Sequence, residues 1–297
     1  MPGLRHRSGG LVRVLAAVVT FAVVLAFGPP AAAAPSPPAS LCASQTAALH
    51  AVRQRVTAHN AKPHVFQVPR QSGALAAYNA DAAKLKAEQA AAIANLKTCI
   101  AVMGELADSA NTSLELEPLP SDLRAKIIAA KARIPASWTP PPPPSVGKNW
   151  TVKGTPVEPL WEALRYRNPP PGVGNATLRG DPRPVVGAPD PAYPRSKVFG
   201  TNADGDSKAS PDHIVPLAQI VNMPGFTRLS PDSMYVVTRS PVNFQWLSDS
   251  ANKSKQSRSV AGMAKADPKW KDEQVALADE VSEQLQAIID RLLKIQG

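Results

Sequence analysis

Pro211-Asp212-His213-Ile214-Val215-Pro216-Leu217 and Asn243-Phe244-Gln245-Trp246-Leu247-Ser248-Asp249-Ser250-Ala251-Asn252-Lys253-Ser254-Lys255 bracket the stretch around which the chain is organised. His213 is the only histidine after His64, and it sits between an acid and an apolar strand-like run. Asn243 follows thirty positions on, Asn252 nine further and Lys255 three further. Side chains alternate along a strand, so Asp212 and His213 start on opposite sides and a turn or bulge must bring both to one place. The asparagines fall at a strand–helix junction.

Those residue types suit phosphodiester cleavage. Such a reaction needs an activated water, a cation to absorb developing charge, and fixed geometry between them. An imidazole is a fitting base because its ordinary pKa of about 6.5 lies near working pH. Asp212 can bind a cation and Asn252 can add a neutral oxygen. Two oxygen donors suit Mg²⁺, with Mn²⁺ as a substitute, and disfavour Zn²⁺, which prefers Cys and His. Lys253, Lys255 and Arg258 are expected to face phosphates.

The order Asp-His, Asn, Asn-x-x-Lys resembles the HNH (His-Me finger) nucleases, in the version with asparagine in the last position. The resemblance covers about 45 of 297 residues. It implies a ββα-metal domain with His213 as general base, Asp212 and Asn252 as metal ligands, and Asn243 orienting the histidine-bearing loop. Two departures stand out. The 29 residues between His213 and Asn243 exceed a minimal hairpin, and the Cys pairs that often accompany such domains are absent. Met223-Pro224-Gly225-Phe226 and Ser230-Pro231-Asp232 make the insert a folded excursion.

The N-terminus carries Arg5, Arg7 and Arg13, then an apolar run from Val14 to Phe27, then Pro29-Pro30-Ala31-Ala32-Ala33-Ala34. This pattern describes a cleaved secretory signal over 1–34, with an apolar core too short for a span of about 20 residues. The expected location is extracellular, with cell-envelope association open, and no later segment reads as a membrane anchor. The formal charge is +10, or +7 without those three arginines. Between Arg195 and Lys271 basic side chains outnumber acids eleven to six. A polyanion partner fits, nucleic acid foremost and DNA ahead of RNA. No aromatic–basic alternation suggests base-specific reading, so weak sequence preference is expected.

From Leu41 to Leu106 the chain is Ala-rich and helical. One stripe runs Cys42, Gln45, Leu49, Val52 and Val56. A second runs Tyr78, Ala82, Leu85, Gln89, Ala92, Leu96, Cys99, Met103 and Leu106. Lys62-Pro63 and Pro69 to Gly73 break the helix between them. Folding back at the break brings Cys42 and Cys99 together, and in an oxidising compartment a disulfide follows, worth roughly 4 kcal/mol in the chain-entropy model. His50, His59 and His64 share no helical face and are read as solvated or capping. Ser121 is expected to cap a helix ending before Ile134-Pro135. Pro140 to Pro144 form a stiff spacer.

A short helix is expected over 158–167, an extended wrapping or flexible segment over 168–194, and a helix opened by Asp267-Pro268 with an apolar stripe from Val281 to Ile295. Asn202 to Asp206 fails as a calcium loop, because Ser207 stands where glycine is required and His213 where glutamate is.

The expected architecture is α+β: signal peptide 1–34, disulfide-clasped α-helical hairpin 35–134, Pro-rich linker and wrapping segment 135–194, and ββα-metal nuclease domain with flanking helices 195–297. The expected function is a secreted, metal-dependent endonuclease. Two alternatives stay open: a non-catalytic envelope-binding coiled-coil protein with a degenerate remnant of the motif, and a toxin using the same chemistry with an immunity protein as partner.

Overall fold

The computed structural model describes residues 12–15, 39–107 and 112–296. The signal-peptide reading lies outside the described residues except for Val12–Leu15. The fold mixes dominant helix with small antiparallel sheet, and the chain divides into two compact units, 1–33 with 42–98 and 34–41 with 99–297.

In the first unit, strand β1 (Val12–Leu15) pairs antiparallel with β2 (Val65–Val68), which lies between helices α1 (Ala43–Asn60) and α2 (Ser72–Ala107). The two helices run antiparallel, as their contacts show. Leu49 and Val52 pack with Ala92, Arg55 pairs with Glu88 at 2.7 Å, and His59 Nδ1 meets Asp81 at 2.9 Å. As the α1 number rises the α2 number falls. The Cys42–Cys99 disulfide, formed by the only two cysteines, continues that register. The second stripe reads true: every member but Leu96 is buried. The histidine reading needs correcting at His59, which is 1 % exposed and stacks on Tyr78 at 4.1 Å. Asp81 supplies the partner that makes this burial tolerable. Contrary to expectation, α2 is long and apolar enough to cross a membrane by length and composition, a test that a hairpin's core helix also passes.

The second unit contains the remaining helices: α3 (Ser121–Lys131), α4 (Glu158–Arg165), α5 (Leu217–Ile220), α6 (Pro231–Thr238), α7 (Asp249–Lys255) and α8 (Pro268–Gln296). Its sheet pairs β3 (Ala209–His213) with β4 (Phe244–Ser248), antiparallel, with Pro211 opposite Trp246 and His213 opposite Phe244. All five β4 residues are buried because both faces of the strand are covered. Phe244 and Trp246 pack with Leu114, Val173, Ala176 and Leu178. Leu247 packs with Ala192, Tyr193, Ala251, Val260, Met263 and Trp270. The Pro- and Gly-rich 168–194 segment thus wraps the sheet, supplying side chains to both faces.

Ion pairs tie the helices. Arg124 makes a bidentate pair with Asp232 at 2.5 and 2.6 Å, joining α3 to α6. Within the second unit, which takes in α2 from Cys99 on, Arg291 of α8 grips Glu105. Lys131 caps backbone carbonyls of Arg228 and Leu229. Ser121 is the first helical residue of α3 after an N-cap at Pro120, with no side-chain cap, so the expected capping does not occur. At α8 the Asp267 carboxylate does accept the Trp270 amide, at 3.0 Å. The stripe from Val281 to Ile295 is buried.

Pro140 to Pro144 lie within the second unit, and the chain after them is strapped down. Trp150 N donates to the Ser257 carbonyl, Ser257 Oγ donates back to Trp150, and Asn149 donates to Gln256. A side chain on Gly262 would come within 2.4 Å of the Gly147 Cα, so glycine is what lets these two backbones touch.

Candidate active site

The β4–α7 junction is built on Ser248. Its hydroxyl accepts the Ala251 amide at 3.0 Å as an N-cap and donates to the buried Asp190 at 2.5 Å. With the helix start fixed, Asn252 and Lys255 stand one turn apart on one face. On β3, Ser210 and Asp212 share a face two residues apart. The two pairs match. Asn252 Nδ2 donates to Ser210 Oγ at 2.8 Å, and Lys255 Nζ donates to Asp212 Oδ2 at 2.8 Å. The Asn-x-x-Lys spacing is therefore what docks α7 onto β3.

Lys255, expected at a phosphate-facing surface, is instead buried, with its side chain 2 % exposed and that of Asp212 5 %. Its ammonium also donates to the His213 carbonyl at 2.5 Å. The Ser-capped start of α7 points it inward. Lys253 is the exposed one, 75 % open and paired with Asp249 at 2.5 Å. Arg258 donates to the Ser254 carbonyl at 2.6 Å and is partly buried. Burial pushes the Asp212 carboxyl above its ordinary range, while the charge and hydrogen bond of Lys255 pull against that rise.

His213 closes β3, and the chain bends at Ile214 and Val215. The bend ends the strand alternation, and Asp212 and His213 reach one cleft. Asn243 holds the bend shut. Fully buried, it accepts the Val215 amide on Oδ1 at 2.7 Å, donates from Nδ2 to the Val215 carbonyl at 2.9 Å, and offers its own carbonyl to the Ile214 amide at 2.8 Å.

The imidazole packs tilted against Phe244 at 4.5 Å, and its Nε2 lies 3.3 Å from the Thr238 carbonyl. A carbonyl only accepts, so Nε2 carries the proton and Nδ1 keeps the lone pair. Burial pushes the His213 imidazole down to about 3. The Thr238 carbonyl opposes the shift, and the charges of Lys255 and Arg239 add to it.

Asp212, His213, Asn252 and Lys255 line one cleft of about 240 Å³, together with Trp161, Pro169, Pro216 and Leu217. Gln256 and Ser257, which follow α7, also line it. Gln256 adopts φ 54°, ψ −128° at the end of α7, a left-handed conformation disfavoured for any residue but glycine. Among the described residues no group of three or more His, Cys, Asp or Glu side chains gathers as a ready ligand cage.

Sequence reasoning missed three contributors. Ser210 carried a signal, being two positions before Asp212 on the same strand face. Thr238 acts through its backbone, which no side chain announces. Trp161 comes from α4, about fifty positions upstream of His213. Compared with family models, curated proteins and solved structures, the chain matches none.

Proposed function

We propose that this chain is a metal-dependent endonuclease of the HNH type, hydrolysing phosphodiester bonds of nucleic acid outside the cell. One observation carries the reading. Asp212, His213 and Asn252 line a single cleft at the β3–β4–α7 unit, and Asn243 fixes the backbone immediately after the histidine.

The donor set fits a hard divalent cation. Asp212 and Asn252 offer oxygens in that cleft, and a Mg²⁺ ion is content with few protein ligands because it keeps waters and takes substrate phosphate oxygens. When bound, such an ion would absorb charge developing on the phosphate. The residues of the chain do the rest. His213, with its proton held at Nε2 by Thr238, presents neutral imidazole at pH 7 and accepts a proton from water at Nδ1. An approaching phosphate favours the imidazolium and draws the basicity of His213 upward from its low resting level. Asn243 keeps the ring where that transfer can occur, and Lys255 orients the Asp212 carboxyl and favours its charged form against the effect of burial. The disulfide accords with the extracellular location.

The test is nicking of supercoiled plasmid and of labelled oligonucleotides by the purified mature chain with Mg²⁺ or Mn²⁺, and its arrest by EDTA. His213→Ala is expected to lose cleavage by at least 100-fold. Wild type inactive on DNA and RNA with both metals, or His213→Ala cutting as well as wild type, overturns the reading.

A further inference from the structure

The lining of the cleft has two chemically distinct parts. A phosphate needs only the polar one, with Asp212, His213 and Asn252. The rest of the lining includes Trp161, Pro169 and Leu217, apolar groups that a phosphate and a metal leave unused. Trp161 is partly exposed there, on a helix outside the β3–β4–α7 unit. Arg165, one turn on, lays its guanidinium over the Trp161 ring, 4.6 Å from the centroid, while pairing with Glu162 at 3.5 Å. The indole is thus held on α4 against a guanidinium, and a partly exposed ring with positive charge over it is the composition of a platform for an aromatic group joined to an anion.

A flat apolar group beside a phosphodiester is a nucleobase. In a duplex both faces of each base are already stacked on their neighbours, so only an unpaired or extruded base can lie on those groups. We propose that the preferred substrate is single-stranded DNA, with one unpaired base against Trp161 while the adjoining phosphate faces His213. This rests on the nuclease reading for the second half of that statement. Stacking tolerates any base, in keeping with weak sequence preference.

Binding is measured by fluorescence anisotropy of the full mature chain in EDTA. The probes are a labelled oligothymidylate, the same strand annealed to its complement, and a strand of abasic units with the same number of phosphates. The oligothymidylate is expected to bind about tenfold tighter than the abasic strand and tighter than the duplex. Trp161→Ala removes most of that margin, Trp161→Phe keeps much of it, and abasic-strand binding stays unchanged. The abasic comparison uses wild type alone, so it stands whether or not Trp161→Ala folds. Equal affinity for oligothymidylate and abasic strand, or duplex bound as tightly as single strand, overturns the inference.

A parallel cleavage assay with Mg²⁺ separates the two readings. His213-dependent cutting with no base-dependent binding sinks the single-strand inference alone. Trp161-dependent binding with no cutting of any nucleic acid sinks the nuclease reading and leaves the base platform.

Discussion

Lys255 drives a buried ammonium onto the Asp212 carboxylate at 2.8 Å, linking α7 to β3 in the lining of the candidate catalytic cleft. The pair is a covered charge held by another covered charge, so its value lies in coupling more than in net stability.

Lys255→Met is expected to cost about 3 kcal/mol in denaturant unfolding, since it strands Asp212 in a dry site. Asp212→Asn in the same chain should recover much of that loss because no charge remains. If the double variant is as unstable as the sum of the two single ones, the residues are not coupled.

His213 carries a pH signature. Its folded-state pKa, about 3, lies below the unfolded value near 6.5. The unfolded chain therefore binds the proton first, and stability contributed by neutral His213 is present above pH 6.5 and drains away as pH falls toward 3. Asp212, raised by burial, works in the opposite direction. Comparing wild type with His213→Gln in metal-free buffer isolates the histidine: the variant should lose stability less steeply between pH 6.5 and 4. Parallel curves would show an unperturbed imidazole.

Asn243→Ala removes the partners of both polar groups of Val215 in a fully buried place. About 3 kcal/mol of stability should go with them. Asn243→Asp keeps the acceptor for the Val215 amide and sets a second carboxyl oxygen against the Val215 carbonyl, at a cost in global stability. Hydrogen exchange at that amide is the local readout: fast in the alanine variant, protected in the aspartate one. Equal protection in both would relieve Asn243 of its holding role.

The disulfide should matter most to the α1–α2 hairpin. Reducing it, or making Cys42→Ala with Cys99→Ala, is expected to lower stability by about 4 kcal/mol in the chain-entropy model. Thermal melting with and without reductant measures it, and an unchanged midpoint contradicts the expectation.

The parts of the fold legible in the sequence were those written in side-chain periodicity. The α2 stripe from Tyr78 to Leu106 and the α8 stripe from Val281 to Ile295 reappear as buried faces. The cysteines could be paired by reflection about a Pro/Gly break. Less was legible where a side chain's partner is distant. His59 reads as a surface histidine until Asp81 and Tyr78 arrive from the other helix. Lys255 reads as a phosphate-facing cation because its sequence neighbours Lys253 and Arg258 are basic, yet the turn of α7 set by Ser248 sends it inward. The wrapping role of 168–194 was one of two open readings, as its turns and isolated bridges, such as Pro189 with Val198, follow no side-chain period. Thr238 was out of reach, since backbone carbonyls leave no mark on residue type.

The folded excursion between His213 and Asn243 decides how small the site can be made. A hairpin that joined β3 to β4 directly would keep Asp212, His213, Asn243 and Asn252 and still lose the Thr238 carbonyl at the end of α6, the group that assigns the imidazole its tautomer. Arg124, in turn, clasps α6 from α3 through Asp232. The portable unit is therefore not the strand–strand–helix piece that the motif outlines. It extends back through α3, and a trimmed version would carry every motif residue while leaving the proton free to sit on either nitrogen.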